Sequence, residues 1–479
     1  MFQVHRLPDN SAFRCGTPPR LVSSIALLAL AGATACFSPV ALPLEEDESE
    51  AGSSGETGDT PGGSGTGVEP TGATGNSVET DGDGGSDGPS PECESAADCD
   101  AGSVCIDGEC GSCSDADGPD QACADADFSM PICGVDGQCV ACEAETCSGD
   151  TPVCNPGTGC AACTEHSDCP ESACHLYGPH QGSCFEASDV VDVYSGEELQ
   201  AAVSGVGNGS QRVIRLAPGS YAFSQQAIIA GEVALLGQPG AVVTVGASTN
   251  MLQVYTDETP RIFYLSGINI DGGGLGWRAI SCGGTDNVLA IDDTSISGYL
   301  YGINTGCETH VRRSHFSSIE GDATFESIAV QVSNATFEAR NSSVGPGADI
   351  GINHLGGEMR LLYSTIAGNA ESINCEDGVN GEVRNSILVG TQPSSVDNFC
   401  PHVFTDNAVD TGSGVGEAVG IYDSSWFVDP EAGDFHLSDA GQAVFADIAD
   451  WDEGDPLVDI DGDPRPQDAP GYPGVDEVP

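Results

Sequence analysis

One six-residue phrase, apolar-x-x-(Ser/Thr)-x-apolar, returns along the chain and constrains its fold more than any other feature. It stands as Ile291-Asp-Asp-Thr-Ser-Ile296, Val311-Arg-Arg-Ser-His-Phe316, Ala339-Arg-Asn-Ser-Ser-Val344, Leu361-Leu-Tyr-Ser-Thr-Ile366 and Val383-Arg-Asn-Ser-Ile-Leu388, with a weaker copy at 265–270. The final positions of successive copies lie 26, 20, 28, 22 and 22 residues apart, an interval that makes each copy one turn of a repeating backbone. Between copies run short β-rich stretches broken by Gly, Asn and Asp. They fit three strands per coil joined by tight turns, with alternate side chains pointing inward. The expectation is an all-β chain whose main domain, over 187–428, is a parallel β-helix of about nine or ten coils.

The start of this domain agrees. Residues 190–193 read as a strand, and Gly196-Glu-Glu-Leu-Gln-Ala-Ala-Val203 places Leu199, Ala202 and Val203 on one helical face. A short amphipathic helix there would cover the open end of a strand stack, which is otherwise an aggregating edge. With Ile214-Arg-Leu-Ala-Pro-Gly-Ser-Tyr221, 233–237 and 241–245 added, the chain resembles the pectate-lyase-like right-handed β-helix family, whose first coils often carry a phrase like Leu216-Ala-Pro-Gly219-x-Tyr221. The segment 429–479, with Asp429-Pro-Glu-Ala-Gly-Asp-Phe-His-Leu437 and Asp459-Ile-Asp-Gly-Asp-Pro-Arg-Pro466, resembles the closing segment of exported proteins of that fold.

Cysteines divide into two sets. Cys282 and Cys307 are 25 residues apart, as are Cys375 and Cys400. Stacked strands lie about 4.8 Å apart, within the reach of a disulfide, so each pair is expected to tie one coil to the next. Upstream, 16 cysteines occupy the 92 residues 93–184. They read as groups ending in Cys-x-x-Cys, such as Cys99, Cys105, Cys110 and Cys113. Such pairs suit a tetrahedral zinc site, but in an oxidising compartment disulfides come first. The segment 93–186 resembles the small cysteine-rich repeats, partly Dickkopf-like, of bacterial surface lipoproteins. That resemblance implies a spacer or binding module and carries no catalytic residue.

The N-terminus points to export. Arg6, Arg14 and Arg20 precede an apolar run from Leu21 to Ala33 that ends in small residues, the pattern of a removable signal over 1–35. Ala33-Thr34-Ala35-Cys36 resembles a lipobox, with Ala33 where a large aliphatic residue is usual. The resemblance implies lipidation at Cys36; an ordinary cleaved signal with a leftover thiol is the alternative. Residues 36–92 then form a linker. Within it, 45–91 holds twelve carboxylates, no cation and no aromatic residue, cannot bury a core and is expected to be disordered, with a mean reach of about 35 to 40 Å. The run from Leu21 is too short to span a bilayer. A net charge of −61 with no lysine disfavours nucleic acid.

For function the sequence leaves two readings. Enzymes of the resembled fold act on polysaccharides. A lyase needs a base and a cation beside the uronate, a glycosidase two facing carboxylates; neither set is recognisable. Asp292-Asp293 falls where other coils have Arg-Asn, which favours a turn residue over a catalyst. Arg312, Arg340 and Arg384 share the second place of the phrase and are expected to form an outward column, either salt-bridged on an acidic surface or pairing with carboxylates or sulfates of a glycan. Asn341 and Asn385 share the third place and suggest a structural ladder. His310, His315 and His354 lie in the same coils as potential bases, a role that a lone exposed histidine rarely has. Asp459, Asp461 and Asp463 offer oxygens to calcium without the bidentate glutamate of a full loop; no other cofactor is implied. The preferred reading is a lipid-anchored cell-surface protein, on the outer membrane, whose β-helix binds polysaccharide or serves a structural or adhesive role. The alternative is a polysaccharide lyase or glycoside hydrolase.

Overall fold

The computed structural model describes residues 93–478 apart from short stretches at 94–98, 100–102, 107–108, 117–118, 127–129, 131, 135, 143–146, 156–157, 246–250, 255–258, 318–325, 377–378 and 398–399. The signal, Cys36 and the linker lie outside the described residues. No described helix is long and apolar enough to cross a membrane.

Residues 190–409 form a parallel β-solenoid of about nine coils. Its register follows the phrase. The final apolar positions stack in sequence, Ile270 on Ile296, then Phe316, Val344, Ile366, Leu388 and Val409. Each coil contributes to three sheets. The first contains Gln211–Leu216, Glu232–Gly237, Ile262–Ser266 and, further on, Ala335–Arg340, Gly357–Leu362 and Asn380–Arg384. The second begins with the last two residues of each phrase, as in His315–Ser317 and Thr365–Ala367; the third includes Leu252–Val254, Ile328–Val332, Ile350–His354 and Glu371–Cys375. Inward Leu, Ile, Val and Phe residues fill one continuous core, with Phe263, Phe316 and Phe337 almost wholly buried.

The corner between the first two sheets explains the phrase. Its third place is left-handed in all five copies of the phrase: Asp293, Arg313, Asn341, Tyr363 and Asn385 have φ between 46° and 53°. Asn and Asp tolerate this region; Arg313 and Tyr363 hold it against a steric cost of about 1–2 kcal/mol each. The fourth place supplies the ladder. Thr294, Ser314, Ser342, Ser364 and Ser386 each donate to the carbonyl two residues earlier, at 2.7–3.2 Å. Most also accept the amide of the same place in the coil before, as Ser314 Oγ does from Thr294 and Ser386 Oγ from Ser364. The expected asparagine ladder is therefore a hydroxyl ladder. A small hydroxyl bridges two strands 4.8 Å apart from inside the wall, whereas the asparagines face outward to another segment.

The helix Gly196–Ser204 is capped by Ser195, whose side chain accepts Glu198 N–H, and buries Leu199, Ala202 and Val203. Tyr221 is buried and donates to the Ala217 and Val193 carbonyls. Cys282 is bonded to Cys307 and Cys375 to Cys400, with Cα separations of 5.7 and 5.2 Å.

The upstream cysteines form four modules in a frame one cysteine earlier than the Cys-x-x-Cys grouping suggests: 93–110, 113–139, 142–160 and 163–184. In each, the first cysteine bonds the third and the second the fourth, beginning with Cys93 to Cys105 and Cys99 to Cys110. The third and fourth cysteines face each other across a small antiparallel pairing, as Cys105 does Cys110 and Cys154 does Cys160. Each therefore turns away to an earlier partner, and every Cys-x-x-Cys is a joint between modules.

Beyond Val409, the strands Phe427–Asp429 and Asp434–Leu437 and the helix Asp439–Phe445 pack through Trp426, Phe427, Phe435 and Phe445 against Ala367, Ile387, Val389 and Ala408 of the second sheet.

Candidate binding groove

The outer face of the first sheet is covered at both ends and open in the middle. At the amino-terminal end the fourth cysteine module lies on it. Ala173 and Phe185 join Val213, Ala234, Ile262, Tyr264 and Ala290 in an apolar cluster. Tyr264 donates to the Tyr177 carbonyl at 3.0 Å, and the Tyr177 ring stacks on His310 with centroids 4.2 Å apart. His175 meets Glu232 at 2.7 Å.

At the other end the C-terminal segment runs along the left-handed corner. Asn385 donates to the Asp450 carbonyl and to Asp455, and Asn341 to the Val458 carbonyl. The fully buried Arg465 side chain lies 3.9 Å over the Tyr363 ring and donates to Asn341 and to the Gly474 and Val475 carbonyls. The outward third-place residues thus anchor a segment 65 to 124 residues away in sequence.

Between these covers lies an open groove with two adjoining hollows of about 500 and 550 Å³. Thr285, Glu308, Asn334, Thr336, Glu358 and Asn380 line the first; Arg360, Glu382 and Val403 continue the second. Strand alternation turns Thr336, Glu358 and Asn380 outward and register stacks them in one column, with Glu308 continuing it one residue before the Thr309–Phe337 pair, while Asn334 stands on a left-handed corner at φ 55°. The next column, two residues on, is His310, Glu338, Arg360 and Glu382.

The expected arginine column has the register read from the phrase: Arg312 on Arg340, then Leu362, then Arg384. It is not a free cationic stripe. Arg312 and Arg313 both clamp Asp292, at 2.8–3.1 Å. Arg340 lies 2.6 Å from Glu338, and Arg360 bridges Glu338 and Glu382. Arg384 does not face solvent: its side chain is 10% exposed and bonds Asp452 and Asp455 of the C-terminal segment. Of the pair Asp292-Asp293, Asp293 is the turn residue and Asp292 the anchor for two arginines. Burial pushes the Glu338 carboxyl up, but hydrogen bonds from His310 and Arg340 outweigh it and draw it down to about 2.

Residues 79–190 match the family described as Family of unknown function (DUF8331). No curated protein matches the chain. The family match covers the cysteine modules and stops at the first solenoid strand, so the groove lies outside it.

Of the histidines singled out from sequence, His310 borders the groove. His315 is half-buried with its Nε2 shut off from solvent, bonds Ser343 Oγ at 2.7 Å, and desolvation of the ring holds it at about 4. His354 is inside the solenoid, 3.0 Å from His402. Asp459 accepts the backbone N–H groups of Asp461, Gly462 and Asp463 on one oxygen and of Glu477 on the other, and Asp461 pairs with His436. Both Asp459 oxygens are thus engaged in holding the chain's own turn. Sequence reasoning missed Glu308, Glu338, Glu358 and Glu382. The available signal was their offset of two or four residues before the phrase's second place, which puts them on the same face as the arginines.

Proposed function

We propose that this protein is a surface lipoprotein, anchored through an acylated Cys36 and its acidic tether, whose solenoid binds a hydroxyl-rich, largely uncharged saccharide chain along the groove. The observation that carries the reading is the groove itself: in each column one polar side chain per coil, carboxylate, hydroxyl, amide or guanidinium, about 4.8 Å apart, on a wall fixed by backbone pairing. A polymer with polar groups at regular intervals can meet such a wall step for step. Because the wall is already ordered, little conformational freedom is lost on binding. A polyanion is disfavoured, since each groove arginine is already neutralised by a carboxylate and Glu308 and Glu358 add negative charge.

A saccharide array of neutral, acidic and amino-bearing polymers, probed with the chain from Cys36 onward, tests this. Retention on neutral polymers with little dependence on salt supports the reading. Binding confined to polyanions and abolished at about 0.5 M salt would overturn it. Membrane attachment is tested by Cys36→Ser, which should move the protein from the membrane fraction to the soluble one.

One observation favours hydrolysis as a second reading. Glu308 and Glu358 occupy the same column two coils apart, about 9.6 Å by strand spacing, near the upper separation of the inverting carboxylate pair. Release of reducing ends from a bound polymer, lost in Glu358→Gln, would establish it.

A further inference from the structure

Two disulfides tie neighbouring coils, yet their surroundings differ. At successive coils one inward column of the third sheet carries Val254, Cys282, Thr305, Val332, His354 and Cys375. Around Cys307 the neighbours are hydroxyls: Thr305 and Thr309 bond each other and the Cys307 carbonyl. Around Cys375 and Cys400 they are imidazoles. His354, wholly buried where Val332 sits one coil earlier, meets His402, which is 8% exposed and occupies space left open beside Gly381.

These two rings make one hydrogen bond between them, Nδ1 of His354 to Nε2 of His402 at 3.0 Å, and meet edge-on at 83°. Nε2 of His354 and Nδ1 of His402 are buried and make no hydrogen bond within 3.5 Å, the Gly356 backbone being the one further polar group that acts on the His354 ring. Leaving such groups unsatisfied is costly, by about 1–3 kcal/mol each, and a core position that takes valine elsewhere does not need them. Burial holds both rings below the ordinary histidine value, His402 at about 4, so both are neutral near pH 7. One donor atom from each of His354, Cys375 and His402 lies within 4.8 Å of the others, and the Cys400 sulfur is bonded to that of Cys375.

We propose that His354, His402, Cys375 and Cys400 form a redox-gated site for a thiophilic divalent cation, with zinc the best match. While the disulfide is closed its sulfurs are not thiolate ligands. A dithiol reductant opens it by giving two electrons and two protons to the Cys375–Cys400 bond and closing to its own disulfide. Zinc then displaces the two thiol protons and takes two thiolates and one nitrogen from each imidazole. That is the tetrahedral two-sulfur, two-nitrogen set of structural zinc, and neutral histidines meet its requirement for deprotonated ligands. The dication and two thiolates cancel, so the filled site places no net charge inside the solenoid. Reduction would thereby exchange one coil-to-coil tie for another.

The test uses the full mature chain, reduced with a phosphine under argon, loaded with zinc and stripped of loosely held metal. The other cysteines stay in every sample, so the readout is a difference. The reduced parent should retain one more zinc per chain than His354→Val, which copies Val332, and than His402→Gln. The Cys282→Ser/Cys307→Ser pair should retain the parent's content. Cobalt in place of zinc should give a tetrahedral visible absorption that the histidine variants lose in part. Equal zinc in the parent and both histidine variants, each keeping its β-sheet signal, would overturn the proposal. So would the extra zinc appearing in the oxidised chain, since the site would then not be gated.

Discussion

The cysteine modules and the solenoid solve the same problem, holding short strands together, by opposite means. Each module spans fewer than thirty residues and carries two disulfides, and its buried side chains are largely the cysteines themselves: Cys113, Cys123 and Cys139 with Val104 in one cluster, Cys163, Cys169 and Cys174 in another. Chains so short cannot bury enough apolar surface to fold without cross-links. The solenoid shares one continuous apolar core among its coils and uses two disulfides over some 220 residues. Order in the first region is covalent and local; in the second it comes from repeated contact between coils.

The sharpest way to break this comparison is reduction. A thiol reductant should collapse the modules, where each lost disulfide costs about 2–5 kcal/mol, while the solenoid keeps most of its β-sheet circular dichroism. Limited proteolysis would then cut within 93–184 and leave a resistant fragment beginning near residue 187. Simultaneous loss of the whole sheet signal would show that the solenoid too depends on covalent ties.

Next in size is a contrast within one column. Arg384→Ala leaves the fully buried Asp455 carboxylate unpaired and should cost about 3–5 kcal/mol by breaking a buried pair. Arg340→Ala removes a third-exposed partner of Glu338 and should cost at most about 1 kcal/mol. Denaturant melts of the two variants measure the difference; equal losses would mean that the C-terminal segment does not seat on Arg384.

A smaller effect concerns acid. The Glu338 carboxyl is drawn down to about 2 in the folded chain, below its ordinary value. Its contribution is therefore complete above about pH 5 and is lost as the pH falls towards 2. Linkage at about 1.4 kcal/mol per tenfold change in proton affinity sets a ceiling of about 3 kcal/mol. Glu338→Gln should flatten that part of the stability profile and leave the profile above pH 5 parallel to the parent's.

The coils were legible because a period of two leaves no freedom: slipping the phrase by one residue would turn Ile296 and Phe316 out to solvent. The spacing of 25 between paired cysteines was legible for the same reason. The module frame was not, since Cys-x-x-Cys looks like a unit, and only the pairing of Cys105 with Cys110 shows it to be a joint. Nor was the fate of Arg384 and Asn385, whose partners Asp450, Asp452 and Asp455 are 65 to 71 residues away and carry no local periodicity. The groove lay between: its columns follow from alternation, but its limits depend on Tyr177 and Asp455, which belong to segments outside the repeat.

The most direct measurement for the central claim is titration calorimetry of the parent and a Thr336→Ala/Asn380→Ala variant with whichever neutral polysaccharide the array retains. Both residues line the groove at exposed positions, so the melting temperature should stay within a degree or two. The open middle of the first sheet, as the binding face, requires at least tenfold weaker binding in the variant, from the loss of about 1 kcal/mol of hydrogen bonding at each position. Unchanged affinity in a variant that melts with the parent would place the ligand elsewhere and contradict the account.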